Sequence, residues 1–394
     1  MRELPVKTAT LQGHVSKIMR LIRKPHFQRP PDPTWNPRTP VIYFEETCFG
    51  GDPFQVPMVI LRTQPCRWFT AGGCVMCNYE LIEANDQEVT GDDLLAQVDY
   101  AIEKLGPLSR YQYLFITSGG SFLDSHEVPD YVRIEILKRL RQAGLKRISF
   151  ESEAKYCLDN ERLAPISEFF PGSASVGIGL ESADSLIRNV VVNKGLSQAV
   201  FERATNTLRR AGIDFYVYVL LGKPFLTIAE DEADCVETII AGRQAGAFMT
   251  VVEMINIQPF TLTGWLWERN RYTPPPLWSG LRVIRDTPEE YRRGVSIKGL
   301  EPDDGVPPPL ESSQSCPLCS DSLRNAIRAW NLHRELTSIE ETWGACSCFT
   351  TYETSRSRVI EVAIEERVSN ELHRVADELG ITEDTLPSRA LNPN

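Results

Sequence analysis

From Pro57 to Phe260, short apolar runs rich in β-branched residues alternate with longer stretches in which apolar side chains return every three or four positions. That rhythm is expected of βα units laid on a parallel sheet. It predicts strands from Met58 to Arg62, Tyr113 to Thr117, Arg147 to Glu151, Ser175 to Leu180, Phe215 to Leu221 and Thr250 to Ile257. Between the first two, Thr90-Gly91-Asp92-Asp93 offers a capping-box start. Leu94, Val98, Ile102 and Leu105 then line one helical face before Gly106 ends it. Val200, Ala204, Leu208 and Ala211 mark a later helix, with Arg209 and Arg210 in its last turn and Gly212 at its C-terminal cap. Six such units can close into a partial barrel or open into a doubly wound sheet, and the pattern does not choose between them. In both, chemistry gathers in loops at the C-terminal ends of the strands.

Beyond Phe260 the pattern changes. Thr273-Pro274-Pro275-Pro276 and Val306-Pro307-Pro308-Pro309 interrupt regular structure, so 261–315 reads as an extended, partly ordered connection. Helical periodicity returns from about Asp321 to Leu336, with Leu323, Ile327 and Trp330 on one face. It returns again from about Ser357 to Leu379, through Ile360, Ile364, Val368, Leu372, Val375 and Leu379. The expected organisation is an N-terminal extension (1–56), a barrel-sized α/β domain (57–260), a Pro-rich connection (261–315) and a C-terminal module (316–394).

Composition narrows this picture. A chain of 394 residues, 42% hydrophobic and 24% charged, can bury a large core, and no apolar run is long enough to cross a bilayer. Met1-Arg2-Glu3-Leu4-Pro5 lacks the basic region and apolar core of a secretory signal, so a cytoplasmic location is expected. Ten cysteines then read as metal or cluster ligands rather than disulfides, and seven of them fall in two short groups. The net charge of −11 weighs against a strong phosphate-binding surface. The run Lys17-Ile18-Met19-Arg20-Leu21-Ile22-Arg23-Lys24 is a local exception, read as a solvated helix face.

The first group, Cys66, Cys74 and Cys77, lies in the loop after the first predicted strand, at the mouth of the fold. Three thiolates on a [4Fe–4S] cluster leave one iron open for a small molecule. Spacing alone leaves tetrahedral zinc open too, with Cys48 folding back as a fourth ligand. Gly72-Gly73 suits either, since a tight wrap needs permissive backbone.

Cys66-x7-Cys74-x2-Cys77, within Gly-Gly-Cys-Val-Met-Cys-Asn-Tyr, resembles the radical S-adenosylmethionine (SAM) superfamily. It is most similar to the branch with the archaeosine-forming radical SAM subunit and the Elongator catalytic subunit, although the common superfamily spacing is C-x3-C-x2-C. The resemblance runs from about Val41 to Phe260. It implies a partial (β/α)6 TIM-type barrel of radical SAM type followed by a cysteine-bearing helical module. It also implies a [4Fe–4S] cluster on Cys66, Cys74 and Cys77 that cleaves SAM to a 5′-deoxyadenosyl radical. By the same resemblance, Ser118-Gly119-Gly120-Ser121 approaches the SAM amino group, although Ser121 stands where an acidic residue is usual. Met76 lies against adenine, Glu151 and Glu153 contact the ribose or amino group, Glu181 and Ser182 contact ribose hydroxyls, and Lys223 reaches a carboxylate at the mouth. Asp184 reads as a helix N-cap.

The second group, Cys316, Cys319, Cys346 and Cys348, offers four thiolates on either side of a helix, a closed site for zinc or an auxiliary iron–sulfur cluster. Cys157 and Cys235 read as isolated buried thiols. Two substrate classes remain. The acidic charge favours a small-molecule or carrier-bound substrate of a biosynthetic pathway, and the resemblance implies a tRNA base, with carbon–nitrogen cleavage of archaeosine-synthase type. A reducing partner of flavodoxin or ferredoxin type is implied in both. A non-catalytic, zinc-stabilised binding protein is the remaining alternative.

Overall fold

The computed structural model describes residues 6–29, 34–48, 52–78, 88–301 and 308–381. Tyr79 of the cysteine loop, the pentapeptide Met1 to Pro5 and Val306-Pro307 of the second proline run lie outside the described residues.

Helix α1 (Val6–Phe27) leads into β1 (Val41–Thr47), which pairs antiparallel with β2 (Phe54–Ile60). A short helix, α2 (Arg67–Thr70), sits in the loop after β2. The alternation read from the sequence then follows as α3 (Gly91–Leu105), β3 (Leu114–Thr117), α4 (Asp130–Gln142), β4 (Ile148–Glu151), α5 (Asn160–Phe169), β5 (Ala174–Glu181), α6 (Gln198–Arg210), β6 (Asp214–Leu221), α7 (Ile228–Gln244) and β7 (Thr250–Met254). Strands β2 to β7 are mutually parallel and adjacent in chain order. The Thr90 capping box forms as expected, its hydroxyl accepting from the Asp93 N–H while the Asp93 side chain accepts from Thr90.

The stretch from 261 is more ordered than its prolines suggest. After the two-residue strand β8 (Asn256–Ile257) come α8 (Leu262–Trp267), α9 (Leu277–Asp286), α10 (Glu289–Arg292) and β9 (Val295–Lys298). Pro276 and Pro288 precede α9 and α10, where a missing N–H and a fixed φ favour helix initiation. β9 joins β7 in parallel, giving an eight-stranded sheet in the order β1-β2-β3-β4-β5-β6-β7-β9. The sheet curls until its edges approach: Lys298 of β9 lies 2.5 Å from Glu45 of β1. This is a half-barrel rather than a flat doubly wound sheet.

The C-terminal part comprises β10 (Glu311–Ser312), α11 (Ser320–His333), α12 (Thr337–Thr342), α13 (Cys348–Arg356) and α14 (Ile364–Glu378). The helix expected from Ser357 begins only at Ile364. Val359, Ile360 and Val362 find no core to enter and are exposed, so the segment between α13 and α14 has no tertiary burial to offset its poor helix propensity.

Alternation along the strands builds two cores. Val59, Ile116, Val217 and Val252 face the outer helices, while Val56, Met58, Phe115, Tyr216 and Val251 face the lumen. A third cluster closes the mouth from behind: Val15, Ile18 and Met19 of α1 pack with Val75, Val190, Val192, Leu262 and Val368. Among the described residues, no helix is long and apolar enough to cross a membrane.

Candidate active site and second cysteine centre

The loop after β2 carries Cys66, Cys74 and Cys77 to the C-terminal end of the sheet, and elements distant in sequence brace it. Val75 N–H donates to the Val192 carbonyl (3.0 Å) and Thr263 N–H to that of Val75 (3.3 Å). Asn193 Nδ2 donates to the Gly73 carbonyl (2.7 Å), Trp68 Nε1 to that of Asn193 (2.7 Å), and Asn78 Nδ2 to that of Pro259 (2.7 Å). Burial pushes the Cys66 thiol well up, with Glu127 and Glu153 adding to it. Burial pushes Cys74 up to about 12, with Lys194 and Arg23 pulling the other way. All three cysteines are partly exposed at the mouth of the fold, and a metal or cluster bound there would displace their protons.

Beside the loop a cavity of about 370 Å³ opens into the half-barrel. Cys74, Met76, Cys77, Gly119, Gly120, Glu151, Glu153 and Glu181 all line it, so most of the residues expected around SAM share one cavity. Glu151 accepts from Thr117 Oγ1 at 2.8 Å, and burial raises its carboxyl. One oxygen of Glu153 lies 2.9 Å from Lys155, and the other is buried without a hydrogen-bond partner.

Three expected contacts lie elsewhere. Lys223 does not reach the mouth: its fully buried ammonium sits 2.9 Å from Asp231 and 3.0 Å from Asp234 and donates to the Leu220 carbonyl. Burying a lysine demands paired carboxylates, and α7 supplies both. Ser182 donates to Asp234 at 2.6 Å on the same outer side of β5. Ser121 is buried and structural, its Oγ accepting from Glu153 N–H (3.0 Å) and its own N–H donating to Glu127 (2.7 Å).

Two residues not singled out by sequence stand beside the expected contacts. A π-helical turn, Ile187–Val191, followed by Asn193 at φ 56°, delivers Lys194 to the cavity wall, where its Nζ donates to Glu181 Oε1 at 2.8 Å. Burial opposes the Lys194 charge, but the Glu181 carboxylate outweighs it and holds its pKa up. Glu127 returns a carboxylate to the glycine-rich loop, which lacks one at Ser121. One of its oxygens accepts from Ser118 Oγ and Ser121 N–H, both at 2.7 Å, and the other is buried without a partner. Burial pushes this carboxyl up to about 8. Any Cβ on Gly120 would lie 2.4 Å from Glu127 and 2.8 Å from the Cys66 Cβ, so only glycine fits there. The thirteen-residue gap between Glu181 and Lys194, and the six between Ser121 and Glu127, carry no periodic signal that would have announced either pairing.

The second cysteine group is tighter. Cys316 lies 3.4 Å from Cys319 and 3.4 Å from Cys346, Cys319 lies 3.4 Å from Cys348, and all four sulfurs fall within 4.8 Å of one another. Hydrogen bonds from Cys346 and Cys319 bring Cys316 down to about 7, while burial pushes Cys319 up. Trp278 Nε1 donates to Cys348 Sγ at 3.3 Å. His333 is absent from the group. Isolated Cys157 and Cys235 are fully buried, as expected, and Cys48 is buried as well.

No family model matches the sequence. The chain is 31% identical over 239 residues to archaeosine synthase subunit beta of Thermococcus kodakarensis, covering 60% of this chain and 72% of that protein. The chain belongs to the archaeosine synthase subunit beta branch of the radical SAM superfamily. The subunit of the same name from Methanosarcina acetivorans is 27% identical over 275 residues, 70% of this chain and 78% of that one. Across the curated relatives it matches, the chain spans between 63% and 78% of their length. Among solved structures, an N-terminally deleted Elp3 of Methanocaldococcus infernus aligns at 15% identity with a TM-score of 0.45, over 61% of this chain and 59% of that one. Within the superfamily, a [4Fe–4S] cluster and SAM are the implied cofactors, and the partly exposed thiols, with Lys194 and Arg23 near Cys74, and the paired acidic and basic groups of the mouth fit them.

Proposed function

We propose that Cys66, Cys74 and Cys77 hold a [4Fe–4S] cluster whose open iron takes SAM, and that the enzyme acts on a tRNA-borne nucleobase in a reaction of archaeosine-synthase type. The observation that carries the cofactor reading is the single cavity lined by Cys74, Cys77, Gly119-Gly120 and the Glu181–Lys194 pair. Held by Cys66, Cys74 and Cys77, such a cluster would supply the electron for reductive cleavage of SAM and so for hydrogen abstraction from substrate. The chain's part is to orient and to exclude water. Lys194 keeps donors free of Glu181 for the SAM carboxylate, Glu153 offers a carboxylate and Glu127 a carboxyl group near its amino group, Met76 packs against adenine, and Glu151 and Glu181 stand near the ribose. In this reading 57–260 is the catalytic barrel and 316–394 a supporting module.

Support for tRNA comes from the relatives' function and from α1. Lys17, Arg20 and Lys24 border a groove shared with Phe69 and Thr70 of the cluster loop, a place for phosphates on an otherwise acidic chain. The net charge supports the second reading, a small-molecule or carrier-bound substrate. Anaerobic turnover of the reconstituted enzyme with a flavodoxin or ferredoxin reductant separates them. Substrate-coupled 5′-deoxyadenosine formation that requires tRNA and falls steeply with salt supports the first, and coupled turnover of metabolites without RNA replaces it with the second.

For the four C-terminal thiols we infer one tetrahedral zinc ion. Zinc–thiolate bonds of about 2.3 Å set tetrahedral sulfur edges at about 3.8 Å, close to the spacing here. A [4Fe–4S] cluster puts each thiolate on a different iron and spreads them further. Metal analysis should find about one zinc per chain after gel filtration, retained in Cys66→Ala and lost in Cys316→Ser. Iron retained in Cys66→Ala at about four atoms per chain overturns this assignment.

A further inference from the structure

We propose that Arg23 of α1 is a positioning residue for the cluster loop, one that also raises the reduction potential of the cluster assigned above; it rests on that assignment. Arg23 is fully buried. Its Nη1 donates to the Phe69 carbonyl at 2.7 Å, and its Nη2 to the carbonyls of Cys74 (2.9 Å) and Cys77 (2.8 Å). The guanidinium lies 3.7 Å over the Phe69 ring. One side chain therefore fixes the backbone of two of the three proposed ligands and the helix that follows the third.

The double glycine of the loop exists for this contact. At Gly72 (φ +116°) a Cβ would lie 2.4 Å from the Ser16 carbonyl oxygen, and at Gly73 (φ +45°) one would lie 2.7 Å from Arg23 Nη1. Both side chains are missing because α1 occupies their space, and Arg20 adds a bond to the Ala71 carbonyl at 2.9 Å. The planar fork of arginine can hold several carbonyls at once, which a lysine ammonium on a flexible stem does less well. A permanent positive charge behind the ligands favours the state with one more electron, and in a poorly solvated site such charge–charge effects exceed their value in water.

The test is an EPR-monitored redox titration of anaerobically reconstituted wild-type, Arg23→Gln and Arg23→Lys proteins, with iron per chain and loss of cluster to a chelator measured in parallel. Arg23→Gln should make reduction about tenfold less favourable, a midpoint about 59 mV lower for one electron. Arg23→Lys should hold a midpoint near wild type yet surrender iron faster, because it keeps the charge and loses the fork. If Arg23→Gln cannot be loaded while still folded by circular dichroism, a loadable Arg23→Lys with faster iron loss sustains the proposal. Arg23→Gln with the wild-type midpoint and wild-type iron retention overturns it, as does unfolding of both variants before any iron is added. A wild-type protein that takes up no cluster defeats the parent assignment, an outcome distinct from all of these.

Discussion

Two lysines illustrate how placement rather than residue type decides a role. Lys194 faces the cavity with one acidic partner, whereas Lys223 is enclosed by two aspartates behind β6. Replacing Lys194 by Met should weaken SAM binding by roughly 10–100-fold, the loss of one charge-assisted hydrogen bond of about 1.5–3 kcal/mol, measurable by equilibrium dialysis of reconstituted protein. Lys223→Met should instead lower folding stability by about 3–5 kcal/mol, since it strands buried carboxylates, and leave SAM affinity unchanged in the folded fraction. The opposite pattern, with Lys223→Met selectively losing SAM, would restore the contact expected from the sequence. Lys194 was illegible there because it reaches the site over a π-helical turn, which no apolar periodicity encodes. Arg23 was hidden for another reason. It belongs to a basic run whose neighbours Arg20 and Lys24 are solvent-exposed, and only packing tells the buried member from the others.

At the scale of elements, the six central strands were legible because alternating inward and outward side chains leave a period-two signature, as at Met58 and Val59. The edge strands β1 and β9 were not. β1 carries polar Glu45 and Glu46 in a half-exposed run, and β9 is four residues long among prolines. The late helices dock through specific contacts. Arg367 of α14 makes two bonds to Glu230 of α7, at 2.7 and 2.8 Å, and Arg356 meets Glu232 at 2.7 Å. The Arg367 hydrogen bonds hold Glu230 below its usual carboxylate range. A depressed carboxyl contributes stability above its unfolded pKa and loses it as pH falls through the folded value. Arg367→Ala should therefore cost about 0.5–1 kcal/mol near neutrality, a modest figure because the pair is partly exposed. In denaturant titrations this difference should shrink below about pH 4. A difference that grows on acidification contradicts the pairing. The proposed zinc site has a larger reach: Cys348 is tied to Trp278, which also packs against Trp343, Phe349 and Tyr352 and so joins α9 to α13. Cys316→Ser or chelation should lower the melting temperature by about 5–10 °C, as expected when several kcal/mol of metal ligation is lost. The melting temperature is unaffected if the four thiols merely pack.

The whole molecule is a curled sheet whose edges meet at Glu45 and Lys298, with a lumen open at the cysteine loop. The third cluster, of α1, α8, α14 and the π-helical turn, seals the loop from behind. The same segments brace the loop and pack behind it, so the radical chemistry and cluster retention proposed above would depend on one packing arrangement. The central claim is that three thiols at this mouth support reductive cleavage of SAM, and the most direct measurement is 5′-deoxyadenosine formed by anaerobically reconstituted protein under a strong reductant. Wild-type protein should show iron–sulfur absorbance and form 5′-deoxyadenosine, while Cys66→Ala, Cys74→Ala and Cys77→Ala each form none and Cys316→Ser keeps the activity in whatever fraction stays folded. A wild-type protein that forms none, or a Cys74→Ala protein that forms as much as wild type, contradicts it.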